Sequence, residues 1–217
     1  MKAYVITILD NALSQEAADT CIASAKRYGI EVEKFPAITP RTEGFEHRVT
    51  LANLDIEAFS GGWSRVENAL ACFLSHRELW KMCNETREDI MILEHDAIFK
   101  DGIPKNFAFN KCITLGRPSY GMFETPTGFG AQPLSQAKYF KGAHAYIIKA
   151  SAAEDFLMSV ISRPTDIFLN TFNFPYLEEY YPWVVEVDDT FSTIQNKKGL
   201  EAKHTYVAGR DVKVVAA

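Results

Sequence analysis

The stretch from residue 90 to residue 99 constrains the fold of this chain more than any other. Residues 90–93 are four consecutive apolar side chains, two of them β-branched, which is typical of a short buried strand. The run then meets Glu94, His95 and Asp96 with no turn signal between them. Because side chains alternate across a strand, we expect Glu94 and Asp96 on one face and His95 on the other.

The pair formed by Glu94 and Asp96 is the strongest candidate for a functional site. Two carboxylates at the end of a buried strand repel each other and lose hydration, so such a pair favours a divalent cation held between oxygen ligands. In open α/β sheets, the ligand crevice also lies outside the carboxyl ends of the strands. The alternative interpretation, a solvated strand end that caps the next turn, fits this stretch equally well.

The first 35 residues predict a strand, a helix and a second strand. Residues 4–9 are an apolar strand candidate, residues 17–28 repeat apolar side chains at helical spacing, and residues 31–35 alternate. We expect Ser14 to cap the helix and Gly29 to end it. This unit builds a parallel sheet, and its lack of a Gly-x-Gly-x-x-Gly turn argues against a dinucleotide-binding dehydrogenase.

The rest of the chain supplies further elements. Residues 37–62 are expected to be loop with at most short helices, forming a rim of the site. A capping box at Ser64 opens a long amphipathic helix over residues 65–84. Strands are predicted at residues 121–124, 143–148 and 183–187, and a lid-like loop at residues 125–138.

Two shorter helices are predicted near the end of the chain. Ser151 and Glu154 form a second capping box, which should open a helix that buries Phe156 and Val160. Thr165 or Asp166 could cap the next, short helix.

Composition narrows the classes of function. A length of 217 residues suits one domain, residues 1–217, with helices on both faces of a sheet. The net charge of -5 provides no general basic field for nucleic acid or an anionic membrane. No apolar run approaches the roughly 20 residues of a membrane span, and no signal peptide precedes residue 4, so we expect a cytoplasmic protein. The four cysteines are scattered and are expected to be reduced thiols.

Four segments together resemble glycosyltransferase family 25, whose members transfer sugars in lipopolysaccharide synthesis or galactosylate collagen. Residues 70–76 (Leu-Ala-Cys-Phe-Leu-Ser-His) and 93–96 (Leu-Glu-His-Asp) are similar to the family's Gly-Cys-Ala-Leu-Ser-His helix and Leu-Glu-Asp-Asp strand end. Residues 142–148 and 164–166 resemble its Gly-Thr-x-Ala-Tyr and Pro-x-Asp segments. His95 and Ala71 depart from the family pattern, as does the absence of arginines after the first strand. Short versions of the family occur in tailed phages, and this chain is similarly compact.

The resemblance implies a GT-A-like fold: a Rossmann-type mixed sheet with helices on both faces. It also implies a nucleoside-diphosphate sugar as donor, with UDP the expected nucleotide, and Mn²⁺ or Mg²⁺ as cofactor. Asp96 is then the direct metal ligand, and Glu94 is a second ligand or a ribose contact. Thr7, Leu9 and Asp10 are placed towards the base and ribose.

The remaining histidines and polar helix residues have two interpretations each under this resemblance. His95 points towards the ribose or into the sheet packing. His144 reaches the diphosphate or metal, or is a core histidine. Ser75 and His76 contact substrate, or are satisfied residues inside a helix.

The resemblance further implies transfer with inversion of configuration, which needs a carboxylate base. Asp166 is the leading candidate for this base and Glu124 the second. The expected acceptor is a saccharide hydroxyl. The alternatives are a phage enzyme that glycosylates hydroxymethylated pyrimidines in DNA, and a catalytically inactive GT-A binding module.

Overall fold

The computed structural model describes residues 1–60, 65–105, 107–135, 137–188 and 193–194, and the backbone of residues 204–207 and 212–215. Its helices are α1 (Ala12–Lys26), α2 (Phe45–Leu51), α3 (Val66–Thr86), α4 (Ala150–Met158) and α5 (Thr165–Phe168), with a short 3-10 helix at Ile56–Phe59. Its strands are β1 (Lys2–Thr7), β2 (Val32–Pro36), β3 (Ile90–Glu94), β4 (Ala97–Phe99), β5 (Cys112–Thr114), β6 (Gly130–Pro133), β7 (Ala145–Ile148), β8 (Leu177–Tyr181), β9 (Val185–Val187), β10 (His204–Val207) and β11 (Val212–Val215).

Within these ranges, seven strands form a mixed sheet in the order β2-β1-β3-β7-β5-β8-β6. β1 runs parallel to both β2 and β3, whereas β7 is antiparallel to β3 and β5. β4 pairs with β9 in a separate two-stranded sheet, and β10 pairs with β11 in another. The predicted Rossmann-type mixed sheet and its opening strand–helix–strand unit are confirmed.

Alternating side chains of the central strands pack into two cores on opposite faces of the sheet. Ile90 and Ile92 join the core formed with α3 and α4, while Met91 and Leu93 join the core formed with α1. Trp80 of α3 is fully buried, and its ring stacks on Phe168 at a centroid distance of 5.2 Å. Helices therefore cover both faces, and α3 is held firmly against the strand that ends in Glu94.

The strand predicted through Asp96 ends two residues earlier, at Glu94. Residues 95 and 96 form a turn that leads into β4, which belongs to a different sheet. The expectation that strand alternation places Glu94 and Asp96 on one face is therefore wrong, because Asp96 is not part of the strand. The backbone pairing explains this, because β1 accompanies β3 only as far as the Ile6–Glu94 pair.

Several local predictions need correction. Asn11, not Ser14, caps α1, since its side chain accepts a hydrogen bond from the backbone N–H of Ser14 at 3.1 Å. Lys149 occupies the N-cap of α4 with no described side-chain cap, so the capping box at Ser151 is wrong. α4 also ends at Met158, which leaves Val160 86% exposed rather than buried.

The predictions for the second half of the sheet are less accurate. Residues 121–124 do not form the predicted strand. The loop predicted at residues 125–138 is interrupted by β6, an edge strand that pairs with β8. The strand predicted at residues 183–187 is shorter, Val185–Val187, and Ser64 lies outside the described residues. α5 begins at Thr165 after an N-cap at Pro164, so neither Thr165 nor Asp166 is the cap. No helix in the described ranges is long and apolar enough to cross a membrane.

Candidate active site

A cavity of about 310 Å³ opens beyond the carboxyl ends of the parallel strands β1 and β3. This is the position at which open α/β sheets bind ligands. Its walls come from the chain after β1, the loop after β2, the first half of α3, and the turn after β3. The residues that carry polar chemistry there are Arg41, Arg65, Asn68, Cys72, Ser75, His76, Glu94, His95 and Asp96.

A buried chain of hydrogen bonds reaches the cavity from the core. The indole N–H of Trp80 donates to the Tyr146 hydroxyl at 2.9 Å, and this hydroxyl lies 2.8 Å from Nδ1 of His76. Because Trp80 can only donate, we assign the Tyr146 hydrogen to the bond with Nδ1 of His76. With Nδ1 as the acceptor, the ring has a hydrogen on Nε2, which lies 3.4 Å from the Glu94 carboxylate.

Glu94 remains ionised despite its position. Burial raises the pKa of Glu94, but the hydrogen bond from His76 and the nearby imidazoles of His76, His144 and His95 lower it, and the net direction is downward. A carboxylate is thus maintained at the end of β3 at neutral pH.

Cys72, His76 and Glu94 form a compact group of potential metal ligands. One ligand atom from each residue lies within 4.8 Å of the others. Burial and the Glu94 carboxylate raise the pKa of the Cys72 thiol well above its usual value, so the sulfur is a neutral thiol in the free protein. Asp96 lies outside this compact group but lines the same cavity, so both carboxylates of the predicted metal pair face one space.

His95 lies at the cavity wall rather than in the sheet packing. Its Nδ1 is 3.1 Å from the hydroxyl of Ser14 in the first turn of α1, and that hydroxyl accepts a hydrogen bond from the backbone N–H of Ile8. Burial lowers the pKa of His95, which favours the neutral ring. Ser14, expected as a helix cap, instead positions this histidine.

Thr7, Leu9 and Asp10, which were expected to face the base and ribose of the nucleotide, do not line the cavity. Thr7 is buried and its hydroxyl donates to the carbonyl of Val5. Leu9 and Asp10 are exposed, and Asp10 forms an ion pair with Arg41 at 2.7 Å. Of the chain after β1, Ile8 and Asn11 line the cavity instead.

Ser75 and His144 are both buried next to the site. Ser75 accepts a hydrogen bond from the backbone N–H of Ile38 at 2.9 Å, which fixes the loop after β2 against α3. The His144 ring packs so closely on Gly116 that a Cβ at that glycine would lie 2.1 Å from Nε2. The carbonyl of His144 also accepts a hydrogen bond from the N–H of Glu94 at 2.9 Å.

The two candidates for the base have very different surroundings. Asp166 accepts hydrogen bonds from the Tyr120 hydroxyl and from the backbone N–H of Ile167. Burial raises the pKa of Asp166, the Tyr120 hydrogen bond opposes this, and the net direction is upward. Asp166 is not among the residues that line the cavity, but the hydroxyl of the neighbouring Thr165 is 3.9 Å from the sulfur of Cys72, which does line it. Glu124 is exposed and is not among the residues that line the cavity.

Sequence reasoning missed the two arginines of the site. Arg41 follows β2, and Arg65 immediately precedes α3. Neither lies after the first strand, where the family pattern has its arginines. Residues 193 and 194 close over the same helix start: Asn68 donates to the carbonyl of Thr193, and the Arg65 N–H donates to that of Ile194 at 2.8 Å. The only advance signal for Arg65 was its place at the start of the long helix.

The hydrogen-bond chain predicts the effect of Tyr146→Phe. This change leaves the buried Trp80 N–H without an acceptor, which should lower the free energy of unfolding by about 1–3 kcal/mol. It should also remove the preference of His76 for the Nε2–H tautomer, which long-range ¹H–¹⁵N NMR detects. Tyr28→Phe removes an exposed tyrosine hydroxyl bond and is the matched control, with a smaller expected effect. A Nδ1–H tautomer in the unmodified protein would contradict the assignment.

The comparisons with known proteins identify the family of the chain. The sequence matches the family model described as glycosyltransferase family 25 (LPS biosynthesis protein) over residues 1–169. No protein of curated function matches the chain. A solved structure titled "Crystal Structure of A197 from STIV" is similar at 12% identity and a TM-score of 0.36, over 82% of this chain and 81% of that one. The family match includes α3 and β3, whose residues line the cavity, and the chain belongs to glycosyltransferase family 25.

Proposed function

We propose that this glycosyltransferase binds a UDP-sugar in the cavity beyond β1 and β3 and transfers the sugar to an acceptor hydroxyl with inversion, assisted by a divalent metal ion. The observation that carries the proposal is the presence of Arg41 and Arg65 in one cavity with Glu94 and Asp96. A diphosphate is recognised by guanidinium groups and by a cation held on carboxylates.

The end of β3 fits a Mn²⁺ or Mg²⁺ ion. Glu94 is kept ionised, Asp96 lines the same cavity, and carboxylate oxygens are the ligands that both ions prefer. His76 and Cys72 lie beside Glu94, but the hydrogen assigned to Nε2 and the neutral thiol leave the two carboxylates as the proposed ligands. When bound, such an ion would neutralise the charge that develops on the diphosphate as the glycosidic bond breaks.

Arg65 is the best-placed residue to bind the diphosphate directly. It lines the cavity, and it forms no ion pair with any carboxylate in the described ranges. A guanidinium presents two parallel N–H groups to a phosphate, which fixes orientation as well as charge. Arg41 is already paired with Asp10, so it contributes less positive charge to the cavity than Arg65.

Asp166 is proposed as the base that takes the proton from the acceptor oxygen. Its raised pKa suits this role, because a carboxylate becomes a stronger base as its pKa approaches the working pH. The charge of Glu94 contributes to that raised pKa, which places Asp166 within electrostatic reach of the metal-binding end of β3. Glu124, which is exposed, remains the alternative.

A saccharide is favoured over DNA as the acceptor. The cavity already contains the carboxylates of Glu94 and Asp96, and the whole chain has a net charge of -5. Both features repel a phosphodiester backbone, which proteins bind chiefly through arginine and lysine.

Calorimetry of UDP binding tests the proposed donor site. Binding should require Mn²⁺ and disappear with a chelator, because two carboxylates facing a diphosphate need a cation between them. Asp96→Asn should weaken metal-dependent binding by at least about tenfold, whereas Asp101→Asn, an exposed aspartate of the following loop, is the matched control and should not. Equal UDP affinity with and without chelator would rule the metal site out. Metal-dependent UDP binding without hydrolysis or transfer would instead identify a binding module.

Asp166→Asn should keep UDP affinity and metal dependence but reduce transfer by at least about a hundredfold. Glu124→Gln is the control for an exposed carboxylate and should transfer normally. The product's anomeric configuration, read by NMR coupling, should be inverted relative to the donor. Normal transfer by Asp166→Asn, or retained configuration, would remove Asp166 as the base.

The pH profile of kcat/KM separates a base from a structural carboxylate. Transfer needs ionised Asp166, so the rate should fall as pH drops through its raised pKa. The Tyr120 hydrogen bond lowers that pKa, and Tyr120→Phe should therefore move the acid limb to higher pH. An unchanged acid limb in Tyr120→Phe would show that another group controls it.

A further inference from the structure

Lys141 lies in a cluster next to the proposed base. We define the Lys141 cluster as Tyr120, Tyr139, Lys141 and Asp166. The Lys141 ammonium lies 5.9 Å from the centroid of the Tyr120 ring and 5.3 Å from that of Tyr139. The Tyr120 hydroxyl in turn donates to the Asp166 carboxylate. One tyrosine therefore contacts both the lysine and the base.

The backbone holds this cluster in place. The carbonyl of Lys141 accepts hydrogen bonds from the N–H and the hydroxyl of Ser119, at 2.8 and 3.0 Å. Phe140 donates to the carbonyl of Leu169 at 2.9 Å, which ties the segment to the end of α5. Gly121 gives the ammonium its space, because a Cβ there would lie 2.6 Å from Nζ.

The ammonium of Lys141 has no counter-ion in the described part of the chain. No carboxylate there lies within 4.0 Å of Nζ, although the side chain is half-buried. Burial lowers the pKa of Lys141, and no neighbouring negative charge opposes this. The two tyrosine rings attract the ammonium but carry no net charge, so an anionic group would complete its surroundings.

We propose that Lys141 binds an oxyanion of the acceptor, so that the acceptor is an acidic saccharide carrying a carboxylate or a phosphate. This inference rests on the proposed function, since it identifies the substrate that Asp166 activates. The ammonium pairs with the oxyanion while it stays over the Tyr120 and Tyr139 rings. The tyrosine shared with Asp166 brings a hydroxyl of the same saccharide to the base.

Saturation-transfer NMR on the full chain tests this with three probes: glucuronic acid, glucose 6-phosphate and glucose. At least one acidic sugar should bind more tightly than glucose, and the comparison of the two acids identifies carboxylate or phosphate as the preferred group. Lys141→Met should weaken binding of the preferred acid by about tenfold or more, and Lys141→Arg should largely preserve it. Lys138→Met, an exposed lysine of the same segment, is the matched control and should behave as the unmodified protein.

Three outcomes would overturn the inference. Glucose could bind as tightly as both acids, or Lys141→Met could bind the preferred acid normally while its melting temperature is unchanged. In the third, Lys141→Met would weaken UDP binding as much as acid binding, which would assign the lysine to the donor. None of these measurements needs turnover. If the unmodified protein binds an acidic sugar but not UDP, the proposed function is contradicted. If it binds UDP but neither acidic sugar, only this inference is contradicted.

Discussion

The hydrogen-bond chain from Trp80 through Tyr146 and His76 to Glu94 links the core of this protein to its site. Trp80 and Tyr146 are fully buried between α3 and the central sheet, so their positions are set by packing. A packed core leaves little freedom to the groups anchored in it. The carboxylate at the end of β3 is therefore held by the core itself, and a substitution far from the cavity can change its orientation and ionisation.

The elements with a clear hydrophobic period could be predicted from sequence, and those that depend on buried polar groups could not. β1, α1, β2, α3 and β7 each repeat apolar residues at the period of their structure. β8 lacks an apolar pattern because a glutamate, Glu179, occupies one of its buried positions. The Glu179 carboxylate accepts hydrogen bonds there from the N–H and hydroxyl of Ser135. The turn after Glu94 contains neither glycine nor proline, so nothing in the sequence marked the end of β3.

The candidate site was foreseen where it follows directly from local sequence. Glu94, His95 and Asp96 line the cavity, as do Ser75 and His76 of α3. Glu94 and Asp96 share one space as expected, but a turn rather than strand alternation brings them there. Arg41 and Arg65 were out of reach, since they join the cavity only through the tertiary packing of distant segments.

A crystal structure of the protein with UDP and Mn²⁺ tests the central claim most directly. We expect the diphosphate in the cavity beyond β1 and β3, contacted by Arg65, with the metal ion bound to Asp96 and next to Glu94. Nucleotide bound elsewhere would contradict it, for example in the open depression along α1 that Gln15, Asp19 and Arg27 line. So would a diphosphate in the cavity with the ion bound away from the end of β3.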